Sequence, residues 1–420
     1  MQRVKSLFMM AAVISAIILP GCVQSQSDEG AFPREENEHI RENGDSWFQI
    51  VTTDITGDIS LRAVTDAIDL PNESGWLVSM KNGSIAHVVR NNDALELAGV
   101  FSIPTAWYYS DCGLISMALD PKWQENGLLY VGHCNNMTSS SISVVEINLN
   151  SSSYIVSGPA TVLTVGHENA THAWHNIGSI GFDQWGYMWA LFGEKNIKSE
   201  AQDTSNMLGS LIRFEAIKNT TSSGAIPIGF GNASDTYHEM VFSWGLRSPW
   251  KGVMDSHGRW WIGDVGGGFE EVNIATGMEN FGWPISYGGP CCCGSPCIGK
   301  VEPIIWWNRS SEHPYTQADP YADDNEGALQ TVWIGPIISN QTNQTEEEFV
   351  LFGDFFKGWV RAIKISHSGA VLEHYHVGHI SNPTGWVKDG DDWLVFSYGE
   401  TAWELSDNRS TILRMQIVWD

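Results

Sequence analysis

The chain has 420 residues, with 49 Asp plus Glu against 23 Lys plus Arg and a formal net charge of −26, a balance that argues against nucleic acid as a partner. Charged residues make up only 17%, against 42 Gly and 20 Trp. That composition excludes a wholly disordered chain and points to a Gly-punctuated, aromatic-rich fold.

Residues 1–22 begin with Arg3 and Lys5, continue as an apolar run from Leu7 to Leu19 and end in Leu19-Pro20-Gly21-Cys22. A basic start followed by an apolar stretch too short to span a bilayer reads as a secretion signal. Its end resembles a lipobox, so the expectation is a lipid anchor on Cys22, with an ordinary cleaved signal as the alternative. Residues 23–46 are polar and acidic and are expected to form a disordered tether, leaving 47–420 as the folded domain. Eleven of the 25 Asn residues begin an Asn-x-Ser/Thr sequon, about three times the chance number, which suits a glycosylated, exported chain. Beyond Cys22 the cysteines are Cys112, Cys134, Cys291, Cys292, Cys293 and Cys297. An even set in an exported chain reads first as disulfides, with Cys112 and Cys134 flanking a strand pair and expected to bridge. The CCCGSPC cluster either closes a small loop on itself or holds a soft metal.

After residue 46, short runs rich in Val, Ile, Trp, Tyr and Phe alternate with Gly, Asn, Asp and Ser clusters, the pattern of strands and turns. A unit of strand, Asp/Gly turn and second aromatic strand recurs six times in chain order: NESGWLVSMKNGSIAHVV, ISMALDPKWQENGLLYVGH, SIGFDQWGYMWALFG, KGVMDSHGRWWIGDVG, EEFVLFGDFFKGWVRAIKI and GWVKDGDDWLVFSYG. Marker residues Trp76, Leu129, Tyr187, Trp260, Phe349 and Trp393 stand 44 to 89 residues apart, room for four strands each. The reading is an all-β, six-bladed β-propeller of four-stranded antiparallel blades, with a β-sandwich plus an extra domain as the alternative.

His175 leads into the third unit and Glu194 follows it, nineteen residues on. A histidine at a strand entrance and an acid at the same strand pair's exit can both face a central channel, where imidazole is the natural base near neutral pH.

The strings DCGLISMALDPKWQENGLLYVGH, HNIGSIGFDQWGYMWALFGE, AQDTSNMLGSLIRFEA, FSWGLRSPWKGVMDSHGRWWIGDVGGGFEEVNI, ENFGWP and LFGDFFKGWVRAI resemble successive blade motifs of the glucose/sorbosone dehydrogenase family, soluble quinoprotein-type sugar dehydrogenases. The match runs in order from about Trp76 to the C terminus. The resemblance implies a six-bladed propeller, pyrroloquinoline quinone (PQQ) and calcium as cofactors, and oxidation of an aldose's anomeric hydroxyl to a lactone with an external electron acceptor. By position it implies His175 as general base and Arg247 as partner of cofactor carboxylates, a role suited to its bidentate fork. It also implies cofactor contacts from Asp111, where members carry Gln or Glu, from Glu194, where they carry Asp, and from Ser248, where they carry Asn. Lys357 lies within one residue of a cofactor-contacting lysine. The stretch from Asp264 to Glu271 resembles the family's calcium loop, with Asp264, Gly266, Glu270 and Glu271 as candidate ligands; a Gly-rich turn with solvated acids is the alternative.

One departure concerns charge: HISNPTGWVKDG has no arginine where quinone-binding members carry an Arg pair. Each charge-assisted bond lost to a tricarboxylate cofactor costs roughly 1.5–3 kcal/mol. Two further features are His374-Tyr375-His376 with His379, a spacing that suits a metal or an exposed strand face, and the many Trp residues, most of them expected in the core. The expected function is that of an exported, membrane-tethered sugar dehydrogenase. The alternatives are a non-catalytic surface propeller binding carbohydrate or protein, and a calcium-dependent lactonase or esterase.

Overall fold

The computed structural model describes residues 47–73, 75–92, 94–150, 154–217, 224–228, 238–285, 299–308, 330–342, 345–365, 374–399 and 409–420. The expected signal, Cys22 and tether, and the cluster from Cys291 to Cys297, lie outside the described residues.

Strand β1 (Phe48–Asp54) precedes six sheets. Blade 1 is β2 (Val64–Asp69), β3 (Trp76–Met80), β4 (Ser84–Asn91) and β5 (Ala94–Ser102). Blade 2 is β6 (Leu114–Leu119), β7 (Leu128–Cys134), β8 (Ser139–Ile147) and β9 (Ile155–Gly166). Blade 3 is β10 (Ile177–Phe182), β11 (Met188–Phe192) and β12 (Ser210–Ala216), whose outer neighbour is split into β13 (Ala225–Pro227) and β14 (Val241–Trp244). Blade 4 is β15 (Pro249–Met254), β16 (Trp260–Asp264), β17 (Phe269–Ala275) and β18 (Ile305–Asn308). Blade 5 is β19 (Val332–Thr342), β20 (Thr345–Asp354), β21 (Trp359–Lys364) and β22 (His374–His379). Blade 6 is β23 (Pro383–Asp389), β24 (Asp392–Ser397) and β25 (Ile412–Trp419), completed by β1 from the other end of the domain.

Every pairing within a blade is antiparallel, and the first strands touch in a closed circle: β2 with β6, β6 with β10, β10 with β15, β15 with β19, β19 with β23 and β23 with β2. The structure is therefore the expected six-bladed propeller. The ring is latched by β1 on β25, in register from Phe48 opposite Trp419 to Asp54 opposite Leu413. Among the described residues the large hydrophobic clusters number six, one at each blade interface; Val64, Trp76 and Val78 of blade 1, for example, pack on Leu394, Phe396 and Ile412 of blade 6. This explains why second strands such as WLVSM, MWALF and WWIGD read as continuous apolar runs: both of their faces are covered.

All six sequence markers fall on or beside the second strands, so the repeat was aligned on one structural position. The quoted units nevertheless cover the first hairpin in blades 2, 3, 4 and 6 and the second hairpin in blades 1 and 5. The recurring turn aspartate has a definite job in three successive blades. Asp120 Oδ1 accepts the Lys122 N–H at 2.8 Å, Asp183 Oδ1 that of Trp185 at 2.9 Å, and Asp255 Oδ1 that of His257 at 3.0 Å. Each closes an Asx turn between a first and a second strand.

Candidate active site

First strands begin, and second strands end, at the same end of the propeller. The residues just outside those termini enclose a cavity of about 380 Å3 on the channel, lined from every blade. Blade 2 sends in Asp111, blade 3 His175 and Asn176, and blade 4 Arg247, Ser248 and Trp250. The sequence expectations for His175, Asp111, Arg247 and Ser248 thus converge on one pocket.

His175 is 6% exposed and held at φ +50°, a left-handed conformation rare for a histidine. Neighbouring backbone lies close against it. A Cβ on Gly193 would lie 2.5 Å from the His175 carbonyl carbon, so only glycine lets the exit of β11 lie against this residue. His175 Nδ1 is 2.9 Å from Glu194 Oε1, a spacing that assigns the proton to Nδ1 and the lone pair to Nε2. Glu194 is fully buried and its Oε2 has no hydrogen-bond partner among the described residues. It stands behind the imidazole rather than on the cavity wall. This departs from the expected direct cofactor contact: the carboxylate touches the base through Oε1.

Asp111 opens into the cavity. The crowding of the walls pushes its pKa up, against the pull of Lys81, His175 and Arg247 and a hydrogen bond from Ser110. Arg247 Nη1 donates to the Val265 carbonyl at 2.7 Å and its guanidinium lies 5.3 Å from the Trp283 ring centroid. The backbone N–H groups of Arg247 and Ser248 donate to the two carboxylate oxygens of Asp264, at 2.9 and 2.6 Å. Asp264 therefore aims the Arg247 segment at the pocket, and burial pushes its own pKa up to about 6.

The acids of the expected calcium loop do not converge. Both Asp264 oxygens are engaged by backbone donors. Glu270 and Glu271 are successive residues of β17 and so face opposite sides of the sheet. Glu270 Oε2 accepts the Val332 N–H at 2.8 Å, and Glu271 Oε2 accepts from Asn273 Nδ2 at 3.2 Å. Gly266 serves a tight turn, since a Cβ there would lie 1.6 Å from the Phe269 carbonyl oxygen. Among the described residues no group of three or more His, Cys, Asp or Glu side chains is placed to hold a metal, and this donor set does not fit a calcium cage. Lys357 is also displaced from its expected place. It is buried in the turn closed by Asp354, and Phe355 and Phe356 of the same turn line the cavity instead. In the histidine-rich strand, His374 Nδ1 accepts from Arg361 Nε at 3.1 Å.

Three residues that sequence reasoning passed over matter here. Lys81, immediately after β3, lines the cavity, and its Nζ donates to Tyr398 Oη at 3.3 Å. Burial pulls its pKa down while Asp111 pulls it up. Gly113 makes the approach possible, because a Cβ there would lie 2.5 Å from Lys81 Cγ. Burial pushes the Tyr398 phenol up to about 12, with the Asp111 charge adding to it. Lys195 is 1% exposed, and its Nζ donates to Ser140 Oγ at 3.0 Å and to Asn176 Oδ1 at 2.5 Å. The segment bearing Asp111 is fixed in turn by the disulfide Cys112–Cys134, the pairing expected from the sequence.

Comparison with known proteins identifies the family. The glucose/sorbosone dehydrogenase family model matches residues 65–318. The aldose sugar dehydrogenase YliI of Escherichia coli is 26% identical over 256 residues, which is 57% of this chain and 66% of that relative. Among solved structures, the PQQ-bound aldose sugar dehydrogenase of Streptomyces coelicolor superposes with a TM-score of 0.66 at 17% identity, covering 88% of this chain and 98% of the other. The apo form of the soluble aldose sugar dehydrogenase of Escherichia coli gives 0.65 at 18% identity, covering 87% and 99%. The structural likenesses share the fold, and the family match spans more than half of the sequence: the chain belongs to the glucose/sorbosone dehydrogenase family.

Proposed function

We propose that this protein is an extracytoplasmic sugar dehydrogenase that oxidises the anomeric hydroxyl of an aldose to the lactone, with PQQ as its cofactor. The observation that carries this reading is a histidine backed by a buried carboxylate on a cavity walled by two cations. Oxidation removes the hydroxyl proton and the anomeric hydride. His175 Nε2 is placed to take the proton, and Glu194 stabilises the imidazolium that results. Asp111 is placed to orient sugar hydroxyls. PQQ, when bound, supplies the two-electron acceptor for the hydride.

The cavity's chemistry suits that cofactor, a flat aromatic tricarboxylate. Lys81 and Arg247 bring positive charge from blades 1 and 4, into a chain of strongly negative overall charge. Trp250, Phe355, Phe356 and Tyr398 supply aromatic walls. Lys81 reaches Tyr398 of blade 6, so it offers a cation on the side where the arginine pair is missing. Among the described residues the one side-chain hydrogen-bond partner of Lys81 is a neutral phenol, which leaves a buried ammonium suited to an anionic ligand. Secretion and a lipid anchor on Cys22 belong to the same proposal, and the buried disulfide supports an oxidising compartment.

The test is titration of the purified protein with PQQ, followed by visible absorbance and calorimetry. Saturable binding is expected, weakened roughly tenfold or more in each of Lys81→Met and Arg247→Ala. Absence of saturable binding would retire the quinoprotein reading, and sugar binding retained without it would favour the non-catalytic surface propeller.

A further inference from the structure

Among the described residues four Tyr and Trp side chains stand exposed: Tyr108 at 47%, Tyr109 at 63%, Trp174 at 41% and Trp185 at 61%. Trp185 sits in the β10–β11 turn, at the far end of its blade. The other three belong to the two loops that enter β6 and β10, at the cavity end. Trp174 is itself part of the cavity wall, so the exposed aromatic surface continues the pocket outward.

This rim is built and braced. Trp174 Nε1 donates to Ser110 Oγ at 3.1 Å, and the His172 ring stacks on the indole at 4.3 Å and 27°. The loop carrying Tyr108, Tyr109 and Ser110 is tied at its end by the Cys112–Cys134 disulfide. It is tied again by the Trp107 N–H to the Cys134 carbonyl at 2.8 Å and by reciprocal bonds between Tyr109 and Cys112 at 3.2 and 2.9 Å. A braced aromatic surface loses little freedom when a ligand docks. Exposed aromatic faces beside hydroxyl, imidazole and carboxylate groups match one ligand chemistry in particular. A pyranose ring presents C–H faces to an aromatic ring and hydroxyls at its edge to polar neighbours.

We infer that the Tyr108–Tyr109–Trp174 rim binds the second ring of a reducing oligosaccharide whose reducing-end ring occupies the cavity. The inference rests on the sugar dehydrogenase reading for its direction. An anomeric hydroxyl exists only at the reducing end, so that ring must reach His175 while the rest of the chain leads out through the mouth. Tyr109 and Trp174 are then specificity-determining residues, and the favoured substrates carry two or more rings.

The experiment compares glucose, maltotriose and cellotriose by calorimetry and tryptophan fluorescence on the purified protein without quinone, and by dye-linked turnover with it. At least one trisaccharide is expected to bind roughly three- to tenfold more tightly than glucose, the gain of one stacked ring. Tyr109→Ala and Trp174→Ala are expected to erase that preference, through KM more than kcat. Equal affinity for one ring and three, or a preference that survives both substitutions, would overturn the inference. Trisaccharide preference without turnover of any sugar would keep the rim and retire the dehydrogenase. Turnover of glucose with no gain from added rings would do the reverse.

Discussion

Replacing His175 by alanine is expected to lower dye-linked aldose oxidation by roughly 10² to 10⁴-fold, the usual worth of a general base. The imidazole is placed for that task on two counts. Its Nδ1 is engaged by Glu194 and its ring lies on the cavity wall, which leaves Nε2 as the acceptor. A second variant guards against a trivial loss of fold. His175 sits at φ +50°, a conformation that asparagine tolerates better than most residues, so His175→Asn is expected to keep the backbone while lacking a basic nitrogen. The two variants should lose turnover alike, with quinone affinity close to that of the parent, since Lys81 and Arg247 are the proposed charge partners. Turnover surviving in His175→Asn, measured with saturating quinone, would remove His175 from the chemistry.

The fold was legible in the sequence because a propeller repeats its evidence of strand and turn six times, and a second strand covered on both faces leaves a continuous apolar run that marks each blade. Residues lining the cavity were legible where they precede a first strand, as Asp111, His175 and Arg247 do. Lys81 and Tyr398 follow second strands, and nothing local in MKNG or FSYG tells that those strand ends share a cavity with the others. The acids after Asp264 misled for the opposite reason. The family resemblance suggested a ligand loop, yet the two-residue period of a strand turns Glu270 and Glu271 to opposite faces. Lys357 failed by a small slip: its turn does reach the cavity, but through Phe355 and Phe356.

Lys195 carries the other large expectation, a dependence of stability on pH. Its ammonium is buried, hydrogen-bonded to Ser140 and Asn176, and shows no carboxylate partner among the described residues, and burial pulls its pKa from 10.5 down to about 8. A lysine that binds its proton less tightly when folded penalises the native state wherever the proton is still bound. The full penalty therefore applies below about pH 8, shrinks as pH rises, and is gone above 10.5, where folded and unfolded chains are both neutral at this position. A displacement of that size corresponds to on the order of 3 kcal/mol. Urea denaturation at pH 7, 8, 9 and 10 is expected to show the parent gaining most of this relative to Lys195→Met, which cannot titrate. Taking the difference between the two proteins cancels the many other groups that titrate in alkali. At pH 7 the variant is expected to be no less stable than the parent, because shedding an unpaired buried charge offsets the two lost hydrogen bonds. Its turnover is expected to fall, since Asn176 lines the cavity beside His175 and loses the donor that fixes its amide oxygen. A stability difference that stays flat across this pH range would mean that the folded lysine holds its proton as tightly as the unfolded one, so that burial does not lower its pKa.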